Sequence, residues 1–158
     1  MSISSARSRL LIGLGNYCAS DDAIGPRLIE HIAEKGLEKG FRAIDLSGNP
    51  LNLLSYLEPA TARILIVDCA RMGRKPGSCV FFKANDVKTQ KRLPGMSTHE
   101  GDVLKILDLA EQMKYRIPPL EFMGIEPQST ESGIGLSQPL ESRLPEYAAI
   151  AVKKLCGG

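Results

Sequence analysis

Leu10-Leu11-Ile12-Gly13-Leu14-Gly15-Asn16 runs directly into Tyr17-Cys18-Ala19-Ser20-Asp21-Asp22-Ala23-Ile24-Gly25-Pro26, and the reading of this stretch decides the fold. A short apolar run bounded by glycine reads as a buried strand. Gly13 and Gly15 permit backbone turns that a residue with a Cβ resists. Ser20 or Asp21 is placed to cap the helix that follows, and Pro26 falls near its first turn, where a missing N–H costs little. With one carboxylate of the pair capping, the other, expected to be Asp22, is left to point elsewhere.

Downstream, Ile24 to about Lys39 reads as an amphipathic helix with Ile24, Leu28, Ile29, Ile32 and Ala33 on one face, ended by Gly36 or Gly40. Phe41 to Asp45 is a second strand, and a helix is expected over Leu51 to Leu57. Arg63-Ile64-Leu65-Ile66-Val67-Asp68 has the continuous apolar content of a strand buried on both faces. Cys79 to Phe82 reads as a further strand, for which an antiparallel run is open. An irregular loop over residues 85–98 leads into a helix from about Glu100 to Lys114. Strand Leu120 to Ile125, a loop from Glu126 to Ser137 and a helix from about Pro139 to Leu155 complete the pattern. Strands alternating with helices predict an α/β fold: a mostly parallel twisted sheet of about five strands with helices on both faces. Residues 1–158 are expected to form a single domain, with 1–8 a flexible N-terminal extension.

Composition narrows the function. The chain is 43% hydrophobic and 24% charged, ordinary for a globular protein. A net charge of +2, with no basic cluster interleaved with aromatics, argues against nucleic acid. No apolar run approaches the roughly 20 residues of a membrane span. Cys18, Cys69, Cys79 and Cys156 form no CxxC and read as reduced thiols of a cytoplasmic protein.

Ligands of open α/β sheets bind beyond the carboxyl ends of the strands. The loop after the first strand carries Asp22, the second strand ends at Asp45, the third ends at Asp68, and His99 precedes the third helix, so all four are expected to face one crevice. A dinucleotide site is disfavoured, because Cys18 stands where its fingerprint needs a third glycine. No His-Glu-x-x-His motif is present. His31, on the polar face of the first helix, reads as a surface residue, which leaves His99 as the one base for a nucleophile such as Cys69 or Cys18. Asp22, Asp68 and His99 together offer two hard oxygens and one imidazole nitrogen, a set suited to a borderline divalent ion such as nickel or zinc.

Gly13-Leu14-Gly15-Asn16, four residues, then Asp21-Asp22-Ala23-Ile24-Gly25 resembles the N-terminal signature of the nickel–iron hydrogenase maturation endopeptidases. Asp45 ahead of Leu53-Leu54, Ile66-Val67-Asp68 ahead of Pro76-Gly77, Met96-Ser97-Thr98-His99, and Gly124-Ile125-Glu126-Pro127 with Gly133-Ile134-Gly135-Leu136-Ser137 agree in order. The resemblance implies a cytoplasmic protease that removes a short C-terminal extension from the nickel-loaded precursor of the hydrogenase large subunit. By position it assigns Asp22, Asp68 and His99 to the metal, and Asp45 to a further acidic position where it or Asp22 would serve as catalytic base. Many members carry Glu where this chain has the shorter Asp22. The implied metal is nickel supplied by the substrate, with zinc or another divalent ion binding in isolation. Gly15 and Asn16 are candidate substrate-binding positions, as are Lys91 and Arg92, which would form a lip for an acidic patch on the large subunit. A non-cleaving metal-dependent chaperone of the same precursor remains an alternative, as does a small-molecule or nucleotide-binding α/β protein.

Overall fold

The computed structural model describes residues 7–84, 86 and 98–157, the side chains of 98–101 excepted. Five strands form one sheet: β1 (Ser8–Gly13), β2 (Arg42–Asp45), β3 (Thr61–Cys69), β4 (Cys79–Lys83) and β5 (Leu120–Ile125). Their order across the sheet is β2-β1-β3-β5-β4. The first four in that order are parallel and β4 alone runs antiparallel, against β5. Ser8, assigned from sequence to an N-terminal extension, already pairs with Thr61 in β1.

Alternation along the strands builds two cores. Leu11, Leu65, Val67, Met123 and Ile125 pack under α1 (Ile24–Glu34) and the C-terminal helix. Leu10, Ile12, Ile64, Ile66 and Phe122 pack under α2 (Thr98–Gln112) and a 3-10 segment, Pro50–Tyr56. The segment expected as a short α-helix over Leu51 to Leu57 is this 3-10 segment. Both faces of β3 are therefore covered, as its unbroken apolar run requires.

One helix stops sooner than its apolar pattern suggests, and another is divided. Gly36 takes φ +63°, and the Leu37 amide reaches back to the Ile32 carbonyl (3.0 Å) while Gly36 reaches Ala33 (3.2 Å). This paired closure ends α1 at Glu34 and singles out Gly36, not Gly40, as its terminator. The expected final helix is two: α3 (Gln138–Glu141) and α4 (Leu144–Cys156). Pro145, in the first turn of α4, has no N–H to donate to the Glu141 carbonyl, and its ring would clash with that carbonyl in a continuous helix.

The order in which strands are added reverses between β1 and β3, although the two run parallel. From β1 the chain moves outward to β2, then crosses back to β3 on the other side. The crevice at such a switch point, beyond the strands' carboxyl ends, is where open sheets take ligands.

Candidate functional site

The turn out of β1 is built by close approach. A Cβ on Gly13 would stand 2.7 Å from the Gly25 carbonyl oxygen, and one on Gly25 would collide with the Leu14 backbone. The start of α1 thus lies directly on the end of β1. Gly15 has φ +149°, and a Cβ there would collide with the Asp22 carbonyl, which accepts the Asn16 amide at 3.1 Å. Of the two glycines expected to permit turns, Gly15 needs its φ while Gly13 needs its missing side chain. Asn16 is exposed, and its Oδ1 accepts the Cys18 amide at 2.9 Å, so this candidate substrate-binding side chain also shapes the loop.

Neither Ser20 nor Asp21 caps α1, whose N-terminus carries no side-chain cap. Residues Ser20–Ala23 instead form a 3-10 turn that leads into it. Asp21 is fully buried, and its carboxylate accepts from the amides of Gln128 (2.8 Å), Ser129 (3.2 Å) and Ser137 (2.7 Å) and from the Ser137 hydroxyl (2.8 Å). The carboxylate expected to cap the neighbouring helix fastens the distant 126–137 loop to the start of the chain. Asp22, its neighbour, is half-buried at the same turn.

Asp68 sits one residue from the end of β3 and is buried, its Oδ1 accepting the Cys69 amide at 2.8 Å. It shares the strand face of Ile64 and Ile66, the face that α2 covers. The amide of Leu14 bonds to the Val67 carbonyl at 3.1 Å, which ties the Asp22 loop to the end of β3. Burial, followed by the nearby Asp22 and Asp68 carboxylates, pushes the Cys69 thiol pKa well above its usual range, with Arg71 opposing. Two predicted carboxylates thus act on one atom, and the same field disfavours Cys69 as a nucleophile.

Asp45 ends β2 opposite Gly13 and is exposed, its Oδ1 accepting the Ser47 amide at 2.9 Å. Burial, then the carboxylates of Glu30 and Asp45, raise the pKa of Tyr17, whose ring lies 5.1 Å from the Arg27 guanidinium carbon. Asp45 therefore belongs to the Tyr17 side of the rim. His99 stands in the first turn of α2, and its side chain lies outside the described residues, as do Lys91 and Arg92 entirely. Among the described residues no group of three or more His, Cys, Asp or Glu side chains is arranged to hold a metal ion.

Sequence reasoning missed Glu126. It is buried just past β5, and its Oε1 accepts the amides of Met72 (2.8 Å) and Arg74 (3.0 Å), holding the β3–β4 loop. The signal available was a lone acid between the apolar end of β5 and Pro127.

Fold and rim together define an α/β protein with carboxylates gathered at the switch point of its sheet. The family model described as hydrogenase maturation protease matches residues 26–154, and the chain belongs to that family of proteases. It is 30% identical over 134 residues to the Hydrogenase 3 maturation protease of Escherichia coli K12, spanning 84% of this chain and 81% of that protein. It is 29% identical over 148 residues to Hydrogenase expression/formation protein HupD of Rhodobacter capsulatus, spanning 92% and 70%. The solved hydrogenase maturating endopeptidase HybD from Escherichia coli shares the fold, with a TM-score of 0.78 at 20% identity over 94% of this chain and 91% of that one.

Proposed function

We propose that this protein removes the C-terminal extension of a nickel-loaded hydrogenase large-subunit precursor, recognising the nickel through Asp22, Asp68 and His99. The observation that carries the reading is the pair of backbone bonds that ties the Asp22 turn to the Asp68 end of β3: the Asn16 amide to the Asp22 carbonyl (3.1 Å) and the Leu14 amide to the Val67 carbonyl (3.1 Å). The donor chemistry supports it as well: two carboxylates and an imidazole suit a borderline divalent ion while leaving coordination positions for the precursor's own ligands. Nickel is here a part of the substrate, and it marks a precursor as ready for cutting. Zinc or another divalent ion would occupy the same donors in the isolated protein.

A water attacking the scissile carbonyl needs a base at the rim. Asp45 is exposed there, and Asp22 is the alternative when one of its oxygens is not engaged by metal. Gly15, Asn16, Lys91 and Arg92 are the proposed contacts to the rest of the precursor. The four cysteines are free thiols, which fits a reducing, cytoplasmic compartment.

The test is to mix the protein with nickel-loaded and nickel-free precursor and follow the mass of the large subunit. Cleavage of the loaded form alone, lost in Asp22→Ala, Asp68→Ala and His99→Ala, is expected. Equal cleavage of both forms overturns nickel recognition, and an unchanged mass with tight binding favours a chaperone.

A further inference from the structure

Ile134 is 75% exposed, more than any other large apolar side chain among the described residues. It lies at the tip of a loop that is otherwise firmly held. On one side, Gly133 forms a bridge with Ala19, its amide donating to the Cys18 carbonyl (2.9 Å) and its carbonyl accepting from the Ser20 amide (3.0 Å). The Ser20 hydroxyl adds a bond to the Glu131 carbonyl at 2.8 Å. On the other side, Ser137 is fixed by its two bonds to the buried Asp21 carboxylate. Leu136 turns inward and packs on the core under α1. Gly135, at φ +101°, reverses the chain between them, so Leu136 is seated while Ile134 is turned out.

Scattered exposed apolar residues are ordinary and ask for no explanation. Here the exposed residue stands between two fixed points, both made by residues 18–21, and Asp22 follows immediately. The turn that carries Asp22 is the same one that holds Ile134 in place. A side chain fixed in this way docks without the ordering cost of a mobile loop.

We propose that Ile134 is a specificity anchor: it buries against an apolar side chain of the large-subunit precursor beside the nickel-bearing segment, and so sets which precursor is held. This rests on the endopeptidase reading for the identity of the partner. It adds an apolar contact beside the carboxylates of the rim.

The experiment measures binding and cleavage of nickel-loaded precursor by the full chain carrying Ile134→Asp, Ile134→Ser or Ile134→Leu. The expected result is a Kd and a KM raised about 10-fold or more by Asp and Ser, with kcat kept and with Leu within about 2-fold of wild type. A thermal melt identifies any variant that fails to fold, and the Ser variant decides if the Asp variant does. Wild-type Kd in both polar variants overturns the anchor. Wild type that binds precursor but leaves its mass unchanged overturns the endopeptidase reading, and the Kd values alone then decide the anchor. Wild type that does not bind precursor overturns both.

Discussion

The two ends of the sheet both collect charged side chains, and they satisfy them differently. At the carboxyl ends, Asp21, Asp68 and Glu126 are buried, and the partners found for them are chiefly backbone amides. At the amino ends, Glu121 lies between Arg63 (3.1 Å) and Lys154 (3.4 Å), all three partly exposed to solvent. An amide of a folded loop cannot swing away, so a carboxylate that binds several of them fixes the course of that loop. Long cationic side chains in water lose rotamer entropy when they pair, and their attraction is screened. The carboxyl end is therefore built for precision of position, and the ion pairs at the amino end add modest stabilisation.

The sharpest way to break this contrast is Asp21→Ala, which leaves three loop amides without their acceptor. A loss of about 4 kcal/mol in urea unfolding is expected. A loss under about 1 kcal/mol would mean that the 126–137 loop does not depend on the carboxylate.

The adjacent substitution separates holding from chemistry. Asp22→Asn is expected to cut processing of precursor by about 100-fold or more while changing stability by less than about 1 kcal/mol. Mass spectrometry of the large subunit reads the first and urea unfolding the second. Glu126→Ala, which frees two amides, is expected to cost about 2 kcal/mol and to increase proteolytic nicking between Met72 and Arg74.

Tyr147 tests the core between the two ends. Its hydroxyl donates to the Gly77 carbonyl at 2.6 Å, and burial holds its pKa at about 12. An unfolded tyrosine ionises near pH 10. The stabilisation is complete below about pH 10 and is lost as pH rises toward about 12, since the unfolded chain gives up its proton first. Tyr147→Phe should lose about 1 kcal/mol at neutral pH and show a shallower alkaline decline in thermal melts. The smallest effect belongs to Glu121→Gln at the amino end. Less than about 1 kcal/mol is expected at low salt, and a smaller difference at high salt.

Much of this molecule is legible in the linear chain. β5 begins and ends at Leu120 and Ile125 as read from sequence, because an apolar run between Pro119 and Glu126 has one way to be buried. The order of strands and helices, the placing of Asp45 and Asp68 at strand ends and that of Asp22 in the loop after β1 follow from hydrophobic period and from local turn chemistry. Those signals act over a few residues, which is why a sequence carries them openly.

What only the tertiary structure decided is the division of labour between Asp21 and Asp22. Both are carboxylates in the same turn, and helix capping is the local expectation for one of them. Asp21's partners lie more than a hundred positions away, and no local pattern announces a contact between residues 21 and 137. Glu126 was missed for the same reason, since its partners lie more than fifty positions back. Burial made the choice: a carboxylate taken out of water must find several donors at once, and only the assembled loops bring them together.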